Sequence, residues 1–198
     1  MTPQDTLTQW MDQSAAVRAR MLAGGGKPGL ARPDSVAGLA RPDSVAGMTG
    51  LEVMQAMLAG VLPYPHIAET LDFALIEVEP GKATFQGTPQ LKHYNPLGSV
   101  HGGWYATLLD SAVGCAVHTM MPVGRAYTTA ELSLNIVRAA SHATGPLRTI
   151  GTVIHCGRQL ATAEGRIIGP DGKLYAHATT TCLVFELPPP RQAGTGPQ

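Results

Sequence analysis

The sequence predicts one α+β domain in which a single antiparallel β-sheet packs against a long apolar α-helix. Residues 95–121 open with a turn and continue as a nearly uncharged segment of helical character, and a helix that is apolar all round is a buried helix. Two strand-like segments precede this helix and four follow it. The later strands are separated mostly by hairpin-length connections, so neighbouring strands are expected to run antiparallel. A sheet with a helix across one face is a layered α+β arrangement.

Composition narrows the class of protein. A chain of 198 residues suits one domain with an appendage, and its 14 basic residues balance 14 acidic ones, which argues against a nucleic-acid-binding protein. We find neither an apolar run of about 18 residues nor a signal peptide, so we expect a cytoplasmic protein without a membrane span. Cys115, Cys156 and Cys182 form no CxxC pair and no zinc pattern, so we expect free thiols and no metal site.

Residues 1–47 are interpreted as an N-terminal extension. Residues 4–23 have helical composition with scattered apolar positions, and the sequence GLARPDSVA then occurs twice in tandem at 29–37 and 38–46. Two short copies are too few for a solenoid, which needs at least three larger units to bury a core. We therefore expect residues 1–47 to be flexible unless they dock on a neighbour, residues 48–187 to form the domain, and residues 188–198 to be a disordered tail.

The domain residues give clear local signals. A short helix is predicted from Leu51 to near Gly60, and strands are predicted at 70–78, 83–87, 127–138, 147–156, 160–168 and 174–185. Strict alternation in the third strand would place Ala130, Leu132, Leu134 and Ile136 on one face and Thr129, Glu131, Ser133 and Asn135 on the other. One sheet curled round one helix leaves edges and an outer face to be covered, and oligomerisation is the expected cover.

Asp110 is the residue that first indicates a functional site. It is the single carboxylate in the long apolar helix, nine residues after His101. A carboxylate inside an apolar helix is costly unless it is paired or functional. The helix begins at His101-Gly102-Gly103, where backbone N–H groups are unpaired and stand at the positive end of the helix dipole. Chemistry is therefore expected along this segment.

These motifs resemble the hotdog-fold acyl-CoA thioesterases of the PaaI-like family (phenylacetic acid degradation and 4-hydroxybenzoyl-CoA thioesterases). The resemblance covers roughly residues 48–186 and rests on five stretches: NPLGSVHGG at 95–103, Asp110, TAELSLN at 129–135, GR at 157–158 and DGKLYA at 171–176. It implies the hotdog fold, an antiparallel sheet wrapped around a long central helix. Where the family strand often ends in Arg-Pro, this chain has Arg138-Ala139.

The resemblance also implies hydrolysis of the thioester bond of an aromatic or medium-chain acyl-CoA. Asp110 would act as general base on water or as direct nucleophile, and both roles stay open. The Gly102 N–H would polarise the thioester carbonyl, and Gly103 would leave room for the substrate. Thr129 matches the family hydroxyl that positions water or the carboxylate, and Thr128 is the neighbouring alternative as a substrate-binding residue.

Further residues follow from the same family pattern. Asn95 and His101 match positions that hold the loop and orient the thioester. In the family the helix carboxylate faces a neighbouring subunit's helix start across a dimer interface, so we expect a homo-oligomer with shared sites, dimeric and by resemblance tetrameric. Arg138, Arg158 and Lys173 are candidates for contacts with CoA phosphates, and solvated surface charge is the ordinary interpretation of each. CoA is part of the substrate, so no cofactor is expected.

Two other functions stay open from the sequence. A hotdog hydratase or dehydratase also combines a helix-start amide with a carboxylate, but it needs its acid–base pair beside the second and third carbons of the acyl chain. A non-catalytic acyl-CoA-binding module would keep the fold without turnover. Asp110 argues against such a module, because a pure binder has no need to bury a charge.

Overall fold

The structure, a computed structural model, describes residues 2–23, 45 and 47–187. Apart from residue 45, the duplicated segment at 29–46 lies outside the described residues, and so does the predicted tail at 188–198. The helices and strands follow in chain order: α1 (Pro3–Ala23), α2 (Gly50–Leu58), α3 (His66–Thr70), β1 (Phe73–Glu79), β2 (Lys82–Gly87), α4 (Gly102–His118), β3 (Arg125–Ile136), β4 (Leu147–Cys156), β5 (Leu160–Ile168) and β6 (Leu174–Glu186).

The six strands form one antiparallel sheet in the order β1-β2-β4-β5-β6-β3, with β1 and β3 at its edges. Helix α4 packs across one face of this sheet. The predicted α+β class, a hotdog fold with an antiparallel sheet wrapped around a long central helix, is therefore confirmed. The segment before β1 differs from the prediction: residues 66–70 form α3 rather than a turn and the start of a strand. Within the described ranges, no helix is long and apolar enough to cross a membrane.

Small residues of the sheet allow α4 to lie unusually close to it. A methyl group at Gly151 in β4 would lie only 2.3 Å from the carbonyl oxygen of Ala112 in α4. Gly165 in β5 is the cross-strand partner of Gly151, and a methyl group there would lie 2.8 Å from the Val113 side chain. Fully buried alanines continue this surface at Ala161, Ala163 and Ala176. The helix backbone therefore rests almost directly on the backbone of β4.

Helix α1 covers the opposite, outer face of the sheet at its β1 edge. Val17 and Met21 form a buried cluster with Ala74 and Ile76 of β1. The helix predicted at 4–23 is present as α1, and residues 3–23 pack against the sheet of the same chain. Trp10, Val17 and Met21 stand at helical spacing and are buried together, so one face of α1 is apolar enough to dock.

Polar contacts also join α1 to the sheet. The Arg148 guanidinium in β4 lies 4.6 Å from the centre of the Trp10 ring, a cation–π contact. The same guanidinium donates a hydrogen bond to Gln13 at 2.7 Å, and Gln13 donates one to Glu77 at 2.9 Å. Arg148 is 8% exposed, so these contacts anchor α1 through a buried charge rather than a surface one.

A β-bulge in β3 corrects the predicted alternation of that strand. Thr129 pairs with Cys182 whereas Glu131 pairs with Thr181, so one extra residue stands between them. The extra residue reverses the alternation, and Thr129 shares the α4-facing side with Leu132 instead of opposing it. Thr128 and Ala130 are exposed.

The close approach of α4 to β4 leads to a stability prediction. Gly151→Ala is expected to lower the free energy of unfolding by about 3 kcal/mol, because the new methyl group collides with helix backbone that cannot move alone. Gly165→Ala is the matched control and should cost less, about 1–2 kcal/mol, because its methyl group meets the side chains of Val113 and Leu109 rather than helix backbone. Urea denaturation followed by circular dichroism measures both. Equal costs would show that α4 does not contact β4 through its backbone.

Candidate active site

The turn before α4 is held by Asn95. Its Oδ1 accepts hydrogen bonds from the backbone N–H groups of Leu97 (3.0 Å) and Ser99 (3.2 Å), and its Nδ2 donates to Ser99 Oγ at 3.0 Å. Gly98 closes the turn with a φ of 82°, a conformation that favours glycine. The side chain of Asn95 is thus engaged within the turn, and its role in the structure is to position the loop.

His101 caps the start of α4. Of the two glycines that follow, only Gly103 is engaged by the cap. The His101 ring accepts a hydrogen bond at Nδ1 from the Gly103 N–H (2.8 Å). The backbone N–H of His101 donates a hydrogen bond to the His93 carbonyl, also at 2.8 Å. The Gly103 N–H is therefore engaged in the cap. The Gly102 N–H has no hydrogen-bond partner among the described residues. Gly102 is the free donor at this helix start, and the exposed His101 ring keeps Nε2 available beside it.

Asp110 and Thr129 are brought together on the side of α4 that faces β3. The Thr129 hydroxyl donates a hydrogen bond to Asp110 Oδ1 at 3.0 Å, and Asp110 is half-buried. The bulge in β3 makes this contact possible, because strict alternation would have turned the Thr129 side chain away from α4. Thr128, the other hydroxyl considered from the sequence, is exposed on the outer face and is not brought to Asp110.

Gly102 and Asp110 of one chain lie too far apart to act on one carbonyl. Asp110 lies eight positions after Gly102 in the helix, which at a rise of 1.5 Å per residue amounts to roughly 12 Å along the helix axis. A carbonyl oxygen hydrogen-bonded to the Gly102 N–H would lie within about 3 Å of that nitrogen. We call these two places candidate half-sites, one at Gly102 with His101 and one at Asp110 with Thr129.

The neighbours of Asp110 are neutral at physiological pH. Burial raises the pKa of the Cys115 thiol to about 12, and the negative charge of Asp110 adds to the effect. Burial also raises the pKa of the Tyr127 phenol well above its usual range, with smaller contributions from Cys115, Cys182 and Asp110. Cys115 thus stays a thiol rather than the thiolate that a nucleophile requires. Asp110 is the group in this half-site that is suited to act as base or nucleophile.

A largely apolar cavity of about 250 Å³ lies against α4 immediately after Asp110 in the sequence. Ser111, the residue after Asp110, and Cys115, one turn further on, form its α4 wall. Other elements supply apolar side chains, and charged ones lie at Arg18, Glu69 and Asp72. This cavity was not predicted from the sequence, although the helical spacing of Trp10, Val17 and Met21 could have indicated that α1 docks on the sheet. The remaining lining residues are Met21, Leu22, Met54, Met57, Tyr64, Pro65, Ala68, Phe73, Ala74, Leu75 and Phe85.

The basic residues considered for CoA binding lie at opposite ends of the sheet. Arg138 is exposed just after β3, at the end where the Ile136 side chain approaches Gly102, and its Nε donates to the Leu174 carbonyl at 3.3 Å. Arg158 is exposed in the β4–β5 turn, where its carbonyl accepts a hydrogen bond from Arg125 at the start of β3. The two arginines of one chain are therefore not brought together.

Lys173 in the β5–β6 turn is engaged by Asp171, with 2.6 Å between Nζ and Oδ2. Among the described residues, no three His, Cys, Asp or Glu side chains come together as a possible metal centre. Cys115, Cys156 and Cys182 are free thiols, as predicted.

Comparisons with known proteins agree with this geometry. The sequence profile of the thioesterase superfamily matches residues 97–176, which include Gly102, Asp110 and Thr129. A candidate esterase of Halobacterium salinarum is 37% identical over 86 residues, which cover 43% of this chain and 56% of that protein. The chain thus spans little more than half the length of this relative.

Solved structures extend the likeness to nearly whole domains. A candidate thioesterase of Ralstonia eutropha, described as phenylacetic acid degradation-related, is 30% identical with a TM-score of 0.60, covering 66% of this chain and 98% of its own. The Escherichia coli PaaI protein from the phenylacetic acid degradation operon shares the fold at 22% identity, with a TM-score of 0.55 over 60% of this chain and 83% of its own. This chain belongs to the thioesterase superfamily, and that membership supports a thioester-hydrolase role.

Proposed function

We propose that this protein hydrolyses acyl-CoA thioesters with aromatic or medium-chain acyl groups, releasing the free acid and CoA. The observation that carries the proposal is the Asp110 carboxylate, which is hydrogen-bonded to Thr129 at 3.0 Å and is followed in α4 by Ser111, a residue that lines an apolar cavity. A reactive carboxylate next to apolar space fits a substrate whose reacting bond joins a polar carrier to an apolar group. The proposal needs no cofactor, because CoA arrives as part of the substrate.

The free Gly102 N–H supports the polarising step. The thioester oxygen would accept its hydrogen bond at the positive end of the α4 dipole, where negative charge develops as the carbonyl is attacked. One such donor typically raises kcat by a factor of about 10²–10³. Asp110 either removes a proton from the attacking water or attacks the carbonyl carbon itself, forming an anhydride that water then hydrolyses. In both routes CoA leaves as its thiolate and takes up a proton.

The separation of the half-sites supports a site shared between two chains. Gly102 of one chain would serve Asp110 of its partner, since roughly 12 Å of helix separates them within a chain. Strand β3 carries Thr129 and lies at a sheet edge, with β6 as its neighbour on one side. A long open edge of this kind is normally covered, and a twofold-related copy is the simplest cover.

A dimer would also bring Arg138 of one chain and Arg158 of the other toward one CoA. A tetramer would be a further pairing of such dimers.

Thiol release tests the proposed activity. Wild-type protein is expected to release free CoA from phenylacetyl-CoA or octanoyl-CoA, and Asp110→Asn is expected to lower kcat about 10²–10⁴-fold, the usual contribution of a general base. Asp12→Asn, the same change at an exposed carboxylate of α1, is the matched control and should leave the rate unchanged. Hydration of enoyl-CoA without thiol release, or tight acyl-CoA binding without turnover, would contradict a thioesterase.

The contact between Thr129 and Asp110 leads to a second prediction. Thr129→Val should lower kcat about tenfold to a hundredfold, because a hydrogen bond to a charged group contributes roughly 1.5–3 kcal/mol. Thr128→Val changes the adjacent strand hydroxyl, which faces outward, and should leave kcat within about twofold. Steady-state thiol release measures both variants. A larger loss in Thr128→Val than in Thr129→Val would overturn the assignment of Thr129.

Mixing two inactive variants tests the shared site. Gly102→Pro removes the polarising N–H, yet it suits the first position of a helix, and His101 before it is already extended with a ψ of 138°. Refolding equal amounts of Gly102→Pro and Asp110→Asn chains should restore about a quarter of wild-type activity, since half of randomly formed dimers contain one intact site. Gly102→Ala keeps the N–H and is the control for added bulk. No recovery in the mixture would contradict the shared site.

A further inference from the structure

We propose that α1 forms the end wall of the acyl pocket and that Met21 limits the length of the acyl group. The inference rests on the proposed function and concerns the cavity that adjoins Asp110. It assigns to the N-terminal helix a part in substrate selection. The occupant is a compact, uncharged acyl group, either an aryl group or a short to medium alkyl chain.

The cavity begins where the reaction would take place. Ser111 follows Asp110 directly, and Cys115 lies one helical turn beyond Ser111 on the same side of α4. The Asp110 carboxylate itself is directed toward Thr129 of β3, and the cavity lining begins at the next residue of the helix. A thioester carbonyl held at Asp110 therefore has apolar space beside it, into which its acyl group can extend.

Helix α1 closes the far side of this space. Arg18, Met21 and Leu22 all line the cavity, and Met21 is 5% exposed. Met21 packs in one buried cluster with Ala74, which also lines the cavity. The cavity is therefore lined by α4 at Ser111 and Cys115, by β1 at Ala74 and by α1 at Met21. A smaller residue at position 21 would enlarge the cavity on its α1 side and leave the side next to α4 unchanged.

The wall is anchored at two places along α1. Near the cavity, the Arg18 guanidinium contacts the Asp72 carboxylate at 2.9 Å. Asp72 has a φ of 51°, and its second oxygen accepts a hydrogen bond from Gln90, so this anchor is itself held by the chain between β2 and α4. Further along α1, Trp10 lies against the buried Arg148 guanidinium. Two separated anchors fix the rotation of α1, which keeps Met21 directed toward the sheet.

The size of the cavity selects the class of acyl group. An apolar cavity of about 150 Å³ holds a benzene molecule. The 250 Å³ found here leaves room for an aromatic ring with a short spacer or for a medium alkyl chain. Tyr64 and Ser111 are the uncharged polar side chains of the lining, and the charged ones come from α1, α3 and the segment just after α3. A charged acyl terminus would lose its hydration here with little compensation.

Changing the size of residue 21 tests the proposal. The measured quantity is the ratio of kcat/KM for decanoyl-CoA to that for hexanoyl-CoA. Met21→Ala should raise this ratio about tenfold or more, and Met21→Phe should lower it, because each methylene accommodated or refused in an apolar pocket changes kcat/KM about tenfold or more. Met11→Ala, at a methionine of the same helix that is 56% exposed, is the matched control and should leave the ratio within about twofold.

A binding experiment separates this proposal from the proposed function. In an Asp110→Asn background, calorimetry compares the affinity for hexanoyl-CoA and decanoyl-CoA with Met21, Met21→Ala and Met21→Phe. A shift of preference toward decanoyl-CoA in Met21→Ala supports the wall even where wild-type protein shows no turnover. Unchanged length preference in both Met21 variants, in turnover and in binding, would overturn it while leaving a thioesterase activity untouched.

Discussion

The contact between the backbones of α4 and β4 is the constraint on which the rest of the molecule depends. Because Gly151 allows the helix to lie against the strand at Ala112, this contact restricts the rotation of α4 about its own axis. That rotation directs Asp110 toward β3 and directs Ser111 and Cys115 toward the cavity beside β1. The position of the carboxylate and the position of the apolar space are thus two results of a single packing contact, since neighbouring helical residues point about 100° apart.

Much of the fold could be predicted from the sequence because its signals are local. The glycine and proline turns mark the hairpins, and the uninterrupted apolar segment marks the buried helix. Gly102 and Asp110 could be singled out because a helix start and a lone carboxylate are recognisable without tertiary structure. The bulge beside Thr129, helix α3 and the docking of α1 could not, since each depends on contacts between distant segments. The bulge in particular depends on how β3 pairs with β6, which alternation along one strand does not reveal.

Asp110 carries its charge without a cationic partner in the described part of the chain. Thr129 supplies one hydrogen bond, partial exposure supplies solvation, and the neighbouring thiol and phenol stay neutral. One hydrogen bond and partial contact with solvent therefore limit the cost of burying this carboxylate.

The β3 bulge has a consequence for how sequences of this kind can vary in length. Residues on either side of Ala130 keep their present faces because one extra residue stands between them. Deleting Ala130 would restore plain alternation, so that Thr129 and Leu132 could no longer both face α4. A substitution at an exposed position of this stretch leaves the register unchanged, whereas the loss of Ala130 does not. Homologous chains that preserve the Thr129 contact should therefore keep the number of residues in this half of the strand constant, even where every exposed residue has changed.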